Sequence, residues 1–184
     1  MQLAVDILVL NAWTETRQPL FELQPAAVEK QIQANFLDNL ALATLCAEGM
    51  RRRRWGRILF IGSINQATPL ATLPIYAALK CAMGSIVRSL AIALAPDNVT
   101  ANTLLPGLVE TERNAFRRVP GGDWAAHAEH SNYLRRGAQP QEIAGLALLL
   151  CAPAGAFCTG SEYWVDGGAH IPGKFHWQTP HERN

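Results

Sequence analysis

Residues 4–10, 58–61, 99–105 and 163–165 are short apolar runs, and between them apolar residues recur at every third or fourth position. A run that is apolar on consecutive positions is buried on both faces, which is the situation of a strand in a parallel sheet. A spacing of three or four marks one stripe of a helix. Val28, Ile32, Phe36, Leu40 and Ala43 step this way after Pro25. Ile75, Leu79, Met83, Ile86, Leu90 and Leu94 do so after Pro74, and Ile143, Leu146 and Leu150 after Pro140. Each predicted helix thus opens on a proline, whose missing N–H would be unpaired in a first turn anyway. Strand and helix alternate, so the chain is predicted to be α/β, a parallel sheet with crossover helices on both faces. Residues 113–136 are polar and irregular, and read as a loop with helical pieces.

Composition narrows the possible partners. A hydrophobic share of 49% with 17% charged residues excludes a disordered chain. A net charge of +1 excludes a bulk electrostatic partner, so neither nucleic acid nor an anionic membrane is expected. The basic run at residues 51–54 falls between a helix end and a strand start, and reads as a solvated helix C-terminus. The longest charge-free apolar runs are about ten residues, against the roughly 20 a membrane span needs. The first 13 residues carry Asp6 and no basic start, so they read as a strand rather than a leader. Cys46, Cys81, Cys151 and Cys158 lack CxxC spacing and are expected as buried thiols in a reducing, cytoplasmic compartment. His127 and His130 are the one close histidine pair, too few ligands for a metal site.

Lysine is scarce: 13 of the 16 basic residues are Arg, leaving Lys30, Lys80 and Lys174. Lys80 follows Tyr76 by four positions on a predicted helix, so the two side chains share a face. The strand before that helix ends at Gly62-Ser63, and in an open parallel sheet ligands bind outside the carboxyl ends of the strands. A phenol titrates near 10 on its own. A neighbouring ammonium favours the phenolate, which would make Tyr76 a usable general acid or base with Ser63 holding the substrate oxygen. A Tyr-x-x-x-Lys pair alone arises by chance in about one chain in twenty of this composition, so its position after a serine-tipped strand carries the argument.

With these residues in place, the chain resembles the short-chain dehydrogenase/reductase family over nearly its whole length. Tyr76-x-x-x-Lys80 is similar to the family signature, with Ser63 as its catalytic serine and Asn35 as the helix asparagine of its proton relay. Asn102-Thr-Leu-Leu-Pro106-Gly107-Leu-Val109-Glu-Thr111 resembles the segment whose Pro-Gly turn and threonine face the nicotinamide. Asn11-Ala12 matches part of the family's Asn-Asn-Ala-Gly, and the stretch from Cys158 to Gly168 its last strand. The resemblance implies a Rossmann-like doubly wound parallel sheet and an oxidoreductase using NAD or NADP on a secondary alcohol or carbonyl. Asn35, Ser63, Tyr76 and Lys80 would be catalytic, with Lys80 lowering the Tyr76 pKa and bonding the nicotinamide ribose. Asn11, Ala12, Tyr76, Lys80, Pro106, Gly107, Val109 and Thr111 would contact the cofactor. Residues 112–136 would form the substrate lid, with Trp124, His127 and Tyr133 available for substrate contact. Residues 169–184 would be a C-terminal tail, and a homo-oligomer, dimer or tetramer, is implied.

Two departures stand out. Trp13 occupies the place of the family's glycine in Asn-Asn-Ala-Gly, where the absence of a Cβ allows close backbone approach. The family also opens with Thr-Gly-x-x-x-Gly-x-Gly, whose amides hold the pyrophosphate, and no Gly-x-Gly occurs anywhere here. Met1 falls just before the family's fourth strand. The expectation is therefore a single incomplete domain over residues 1–184, the C-terminal half of the fold, with about four strands and their covering helices. It is either a fragment, or a mis-started reading frame, of an ordinary oxidoreductase or an inactive truncated relative that works as an interaction module through an exposed apolar edge.

Overall fold

The computed structural model describes residues 4–172. Its four strands, β1 (Ile7–Leu10), β2 (Gly56–Ile61), β3 (Val99–Pro106) and β4 (Glu162–Val165), lie side by side in sequence order. Every pairing is parallel, with Leu8 beside Ile58, Leu59 beside Asn102 and Leu104 beside Tyr163. The helices are α1 (Pro25–Ile32), α2 (Asp38–Arg53), α3 (Pro74–Leu94), α4 (Trp124–Glu129) and α5 (Pro140–Cys151). The predicted alternation is thus the observed one. Of the predicted tail, the residues beyond 172 lie outside the described part.

The two sheet faces are covered unequally. On one, Leu8, Leu10, Ile58, Phe60, Val99 and Ala101 meet Ala43, Ala47 and Met50 of α2 and Met83, Val87, Ala91 and Leu94 of α3. On the other, α5 packs Leu150, Ile143 and Leu146 over Leu59 and Leu104. Ile7 and Val9 are each 46% exposed, so β1 is shorter than predicted and is covered on one face, not both. The segment Pro74–Asp97 is long and apolar enough to cross a membrane by length and composition. Its apolar side is the one buried on the sheet, through Met83, Val87, Ala91 and Leu94, as a core helix requires.

The helix after Pro25 departs from the predicted stripe. Gln31, Asn35 and Asn39 are buried beside Ala43 of the predicted stripe, while Ile32 is 38% exposed and Phe36 is half-buried against the core. Hydrogen bonds offset the cost of burying amides. Gln31 Oε1 accepts from the Thr16 N–H at 3.3 Å, and Asn39 Nδ2 donates to the carbonyls of Ala34 and Asn35, both at 3.1 Å. Between α1 and α2 the helix widens to a π turn at Gln33–Leu37, centred on Asn35. Such single wide turns gather at functional positions.

The basic run at residues 51–54 is a helix terminus, as predicted, but it is also paired. Arg53 bridges Asp6 at 2.9 Å, Arg51 bridges Asp97 at 3.1 Å, and Arg52 bridges Glu48 at 3.0 Å. Arg54 closes α2 in the left-handed region with φ 55°. The four cysteines are free thiols; Cys46 is buried, whereas Cys81 on α3 is exposed, contrary to the expected burial of all four.

Candidate active site

Ser63 is placed by the glycine before it. A Cβ at Gly62 would lie 2.3 Å from Gln66 Oε1 and 2.9 Å from Thr103 Cγ2, so only glycine lets Gln66 fold back there. The Gln66 side chain then accepts from the Ser63 N–H at 3.2 Å, and Ser63 Oγ accepts from the Asn65 N–H at 3.2 Å. This reciprocal cap holds Ser63, 8% exposed, just beyond the carboxyl end of β2. Tyr76 stands in the first turn of α3, where Pro74 begins the helix, and the Ser63 side chain bears on its phenol.

Lys80 lies one turn further along α3 and is 3% exposed. Its Nζ donates to the Ile61 carbonyl at 2.6 Å. It sits 3.6 Å from the centre of the Trp13 ring, 4.8 Å from Phe60 and 5.7 Å from Tyr76. Burial pushes Lys80 down to about 7; Arg113 acts in the same direction and Glu15 against it. The Tyr76 phenol is pushed up by burial, pulled back by the Ser63 side chain, raised by Glu15 and lowered by Arg113. In this arrangement burial dominates at Tyr76 and holds the phenol above its usual range. The ammonium faces a carbonyl and an indole, and Tyr76 is a protonated acid at neutral pH.

Asn35 reaches the site through backbone. Its Oδ1 accepts from the Thr14 N–H at 2.9 Å and its Nδ2 donates to the Thr14 carbonyl at 2.7 Å, with the side chain fully buried. This clamps the chain next to Trp13, the residue lying on Lys80. Asn11 and Ala12 precede it and are exposed.

The segment from Pro106 to Thr111 leaves the carboxyl end of β3 on the same rim. A Cβ at Gly107 would lie 2.7 Å from Asp166 Cα, so packing against the end of β4 already demands this glycine. The Val109 carbonyl accepts from Asn114 Nδ2 at 2.7 Å, and the Thr111 N–H donates to Asn114 Oδ1 at 3.0 Å. Trp124, expected as a substrate contact, lies under the Arg118 guanidinium at 5.5 Å and would meet a Cβ placed on Gly137.

Sequence reasoning missed Glu15 and Arg113. They form an ion pair that ties the segment after β1 to the segment after β3, and both bear electrostatically on Tyr76 and Lys80. No spacing rule flags either one, since 98 positions separate them in the chain.

A parallel sheet with serine, tyrosine and lysine gathered at its carboxyl rim defines a dehydrogenase-type α/β protein. The chain belongs to the short-chain dehydrogenase/reductase family: the family model described as enoyl-(acyl carrier protein) reductase matches residues 3–170. It is 32% identical over 164 residues to the D-xylose 1-dehydrogenase of Caulobacter vibrioides, covering 89% of this chain and 65% of that protein. It is 31% identical over 166 residues to the 3-oxoacyl-[acyl-carrier-protein] reductase MabA of Mycobacterium tuberculosis, with the same coverage of 89% and 65%. The crystal structure of a 3-oxoacyl (acyl-carrier-protein) reductase from Agrobacterium tumefaciens C58 with NADP bound superposes with a TM-score of 0.84 at 39% identity. That match covers 90% of this chain and 64% of the other. The chain thus spans 65% of the length of these curated relatives.

Lys80 is the residue that would hold the ribose of the nicotinamide cofactor implied by the family. The ammonium that would reach a ribose hydroxyl points at the Ile61 carbonyl, and the Trp13 ring covers it. Ser63 and Tyr76 stand on the rim beside it.

Proposed function

We propose that this chain carries the proton-transfer part of an NAD- or NADP-dependent oxidoreductase that interconverts a secondary alcohol and a carbonyl. The observation that carries the reading is the placement of Ser63 at the carboxyl end of β2 and of Tyr76 in the first turn of α3, with Lys80 one turn behind. The hydride chemistry belongs to the nicotinamide. The chain's own residues move the proton. Ser63 holds the substrate oxygen beside the phenol, and Tyr76, protonated at neutral pH, donates to that oxygen in the reducing direction. In the oxidising direction the same phenol oxygen takes the proton back. Burial keeps water from competing for the phenol, and the Glu15–Arg113 pair adjusts its proton affinity from one side. Asn35 positions the segment that carries Trp13.

Asn11, Ala12, Pro106, Gly107, Val109 and Thr111 are assigned to the cofactor side, because they line the same rim as the proton-transfer pair. Residues 112–136 are assigned as the lid. Exposed Leu45 and Ile92, on α2 and α3, support a homo-oligomer, dimer or tetramer. The free thiols support a reducing, cytoplasmic setting. The test is turnover of the whole protein with small ketones and NADH or NADPH, followed by loss of reduced-nicotinamide absorbance. Tyr76→Phe is expected to lower it by about 100-fold or more; unchanged turnover overturns the role of Tyr76.

A second reading, an inactive relative serving as an interaction module, is favoured by one observation. Ile7 and Val9 are exposed on β1, whose outer edge is unpaired among the described residues. A chain inert with both nicotinamides that forms a stable complex with an active family member would select this reading.

A further inference from the structure

Lys80 is a buried charge that the proton transfer at Tyr76 does not use as placed. Among the described residues its ammonium has one hydrogen-bond acceptor, the Ile61 carbonyl, and its remaining surroundings are rings. Trp13 makes the shortest of these contacts, at 3.6 Å, and closes the cage by meeting Tyr76 edge-on at 5.5 Å and Phe60 at 6.1 Å. An indole is the strongest of the aromatic partners for a cation, so the cage favours the closed position.

Two observations show that this position is opposed as well as favoured. Trp13 Nε1 is buried and has no hydrogen-bond partner, a defect that exposure to water would relieve. The backbone on either side is fixed, by the pairing of Leu10 with Phe60 and by the clamp of Asn35 on Thr14. What can move is the indole alone, by rotation about its own side-chain bonds.

We propose that Trp13 is a movable cap on Lys80, which holds the ammonium away from any ligand on the rim until the indole swings out to water. The inference rests on the reading of Ser63, Tyr76 and Lys80 as one site. It assigns to Trp13 the control of whether that site presents a cation, and so whether an electron-rich ligand group such as a sugar hydroxyl can engage it.

The chain's three lysines make the test direct. Native protein is reductively methylated with formaldehyde and a borane over a series of pH values, modification is mapped by mass spectrometry, and rates are compared per unprotonated amine, with exposed Lys30 as internal reference. Lys80 is expected to react at least about tenfold more slowly than Lys30, and Trp13→Gly to accelerate Lys80 by at least about tenfold with Lys30 unchanged. If Trp13→Gly does not fold, Trp13→Phe supplies the readout: its smaller, weaker ring is expected to speed Lys80 by about threefold. Lys80 reacting as fast as Lys30 in the native protein overturns the cap. So does an unchanged Lys80 rate in a folded variant. The readout does not depend on turnover. An inert protein with a capped lysine would defeat the oxidoreductase reading alone, and an active one with a freely reactive Lys80 would defeat the cap alone.

Discussion

Glu15 and Arg113 form an ion pair across the site, one from the segment after β1 and the other from the segment after β3. Glu15 is the more enclosed partner, with a side chain 14% exposed against 60% for Arg113, and it also lies 3.7 Å from Arg17. The pair acts on Tyr76 and Lys80 with opposite signs: the carboxylate raises both, and the guanidinium lowers both.

Removing one partner should therefore move both titrations together. Glu15→Gln is expected to lower the pKa of Tyr76 and of Lys80, and Arg113→Gln to raise both. NMR titration of ring-labelled tyrosine and of the methylated lysine in denaturant-free protein measures the two shifts. Opposite movements at Tyr76 and Lys80 in one variant would show that the pair acts through a conformational change and not through its charge.

Lys80 predicts a pH dependence of stability with a defined sign. Its native value is about 7 against 10.5 ordinarily. Below about 7 both native and unfolded chains hold the proton, and the cost of burying the charge is fully present. Between the two values the unfolded chain binds the extra proton, so stability rises with pH by up to about 1.4 kcal/mol per unit. Urea unfolding at about pH 7 and about pH 9 is expected to show this rise in the native protein and its loss in Lys80→Met. Equal slopes would place Lys80 in a more solvated position.

Asn35 is predicted to matter for folding as much as for chemistry. Asn35→Ala deletes two hydrogen bonds and leaves the Thr14 N–H and carbonyl unpartnered in a part-buried setting. The expected cost is about 2–4 kcal/mol, read as a lower urea midpoint at an unchanged slope. A loss under about 0.5 kcal/mol would mean that water replaces the side chain.

Gly107 offers a packing test independent of any ligand. Gly107→Ala drives a Cβ to within 2.7 Å of the Asp166 backbone, where no flexible side chain can yield. About 1–3 kcal/mol of destabilisation is expected, seen as a thermal midpoint several degrees lower. A midpoint equal to that of the native protein would show that the end of β4 moves freely away from β3.

The periodicity of apolar residues determined the α/β alternation, because consecutive burial and three-or-four spacing are local consequences of strand and helix geometry. The Ser63, Tyr76 and Lys80 spacing placed those residues at the carboxyl end of β2 and the first turns of α3 for the same reason. What the sequence did not decide are the features that depend on contacts between distant segments. The inward face of α1 and α2 carries Gln31 and Asn35 as well as Ala43, because backbone groups at Thr14 and Thr16 meet the two amides there; an apolar stripe read alone finds Phe36 and Ala43 but not the amides. The half-covered state of β1 depends on how far α5 extends over the sheet. The Glu15–Arg113 pair exists because the turns after β1 and β3 share one rim. Lys80, legible as a cation beside a tyrosine, is directed by tertiary packing to the Ile61 carbonyl under Trp13. Spacing sets which residues are neighbours along one helix, but the environment that fixes a buried ammonium's direction and proton affinity is assembled from three separate elements.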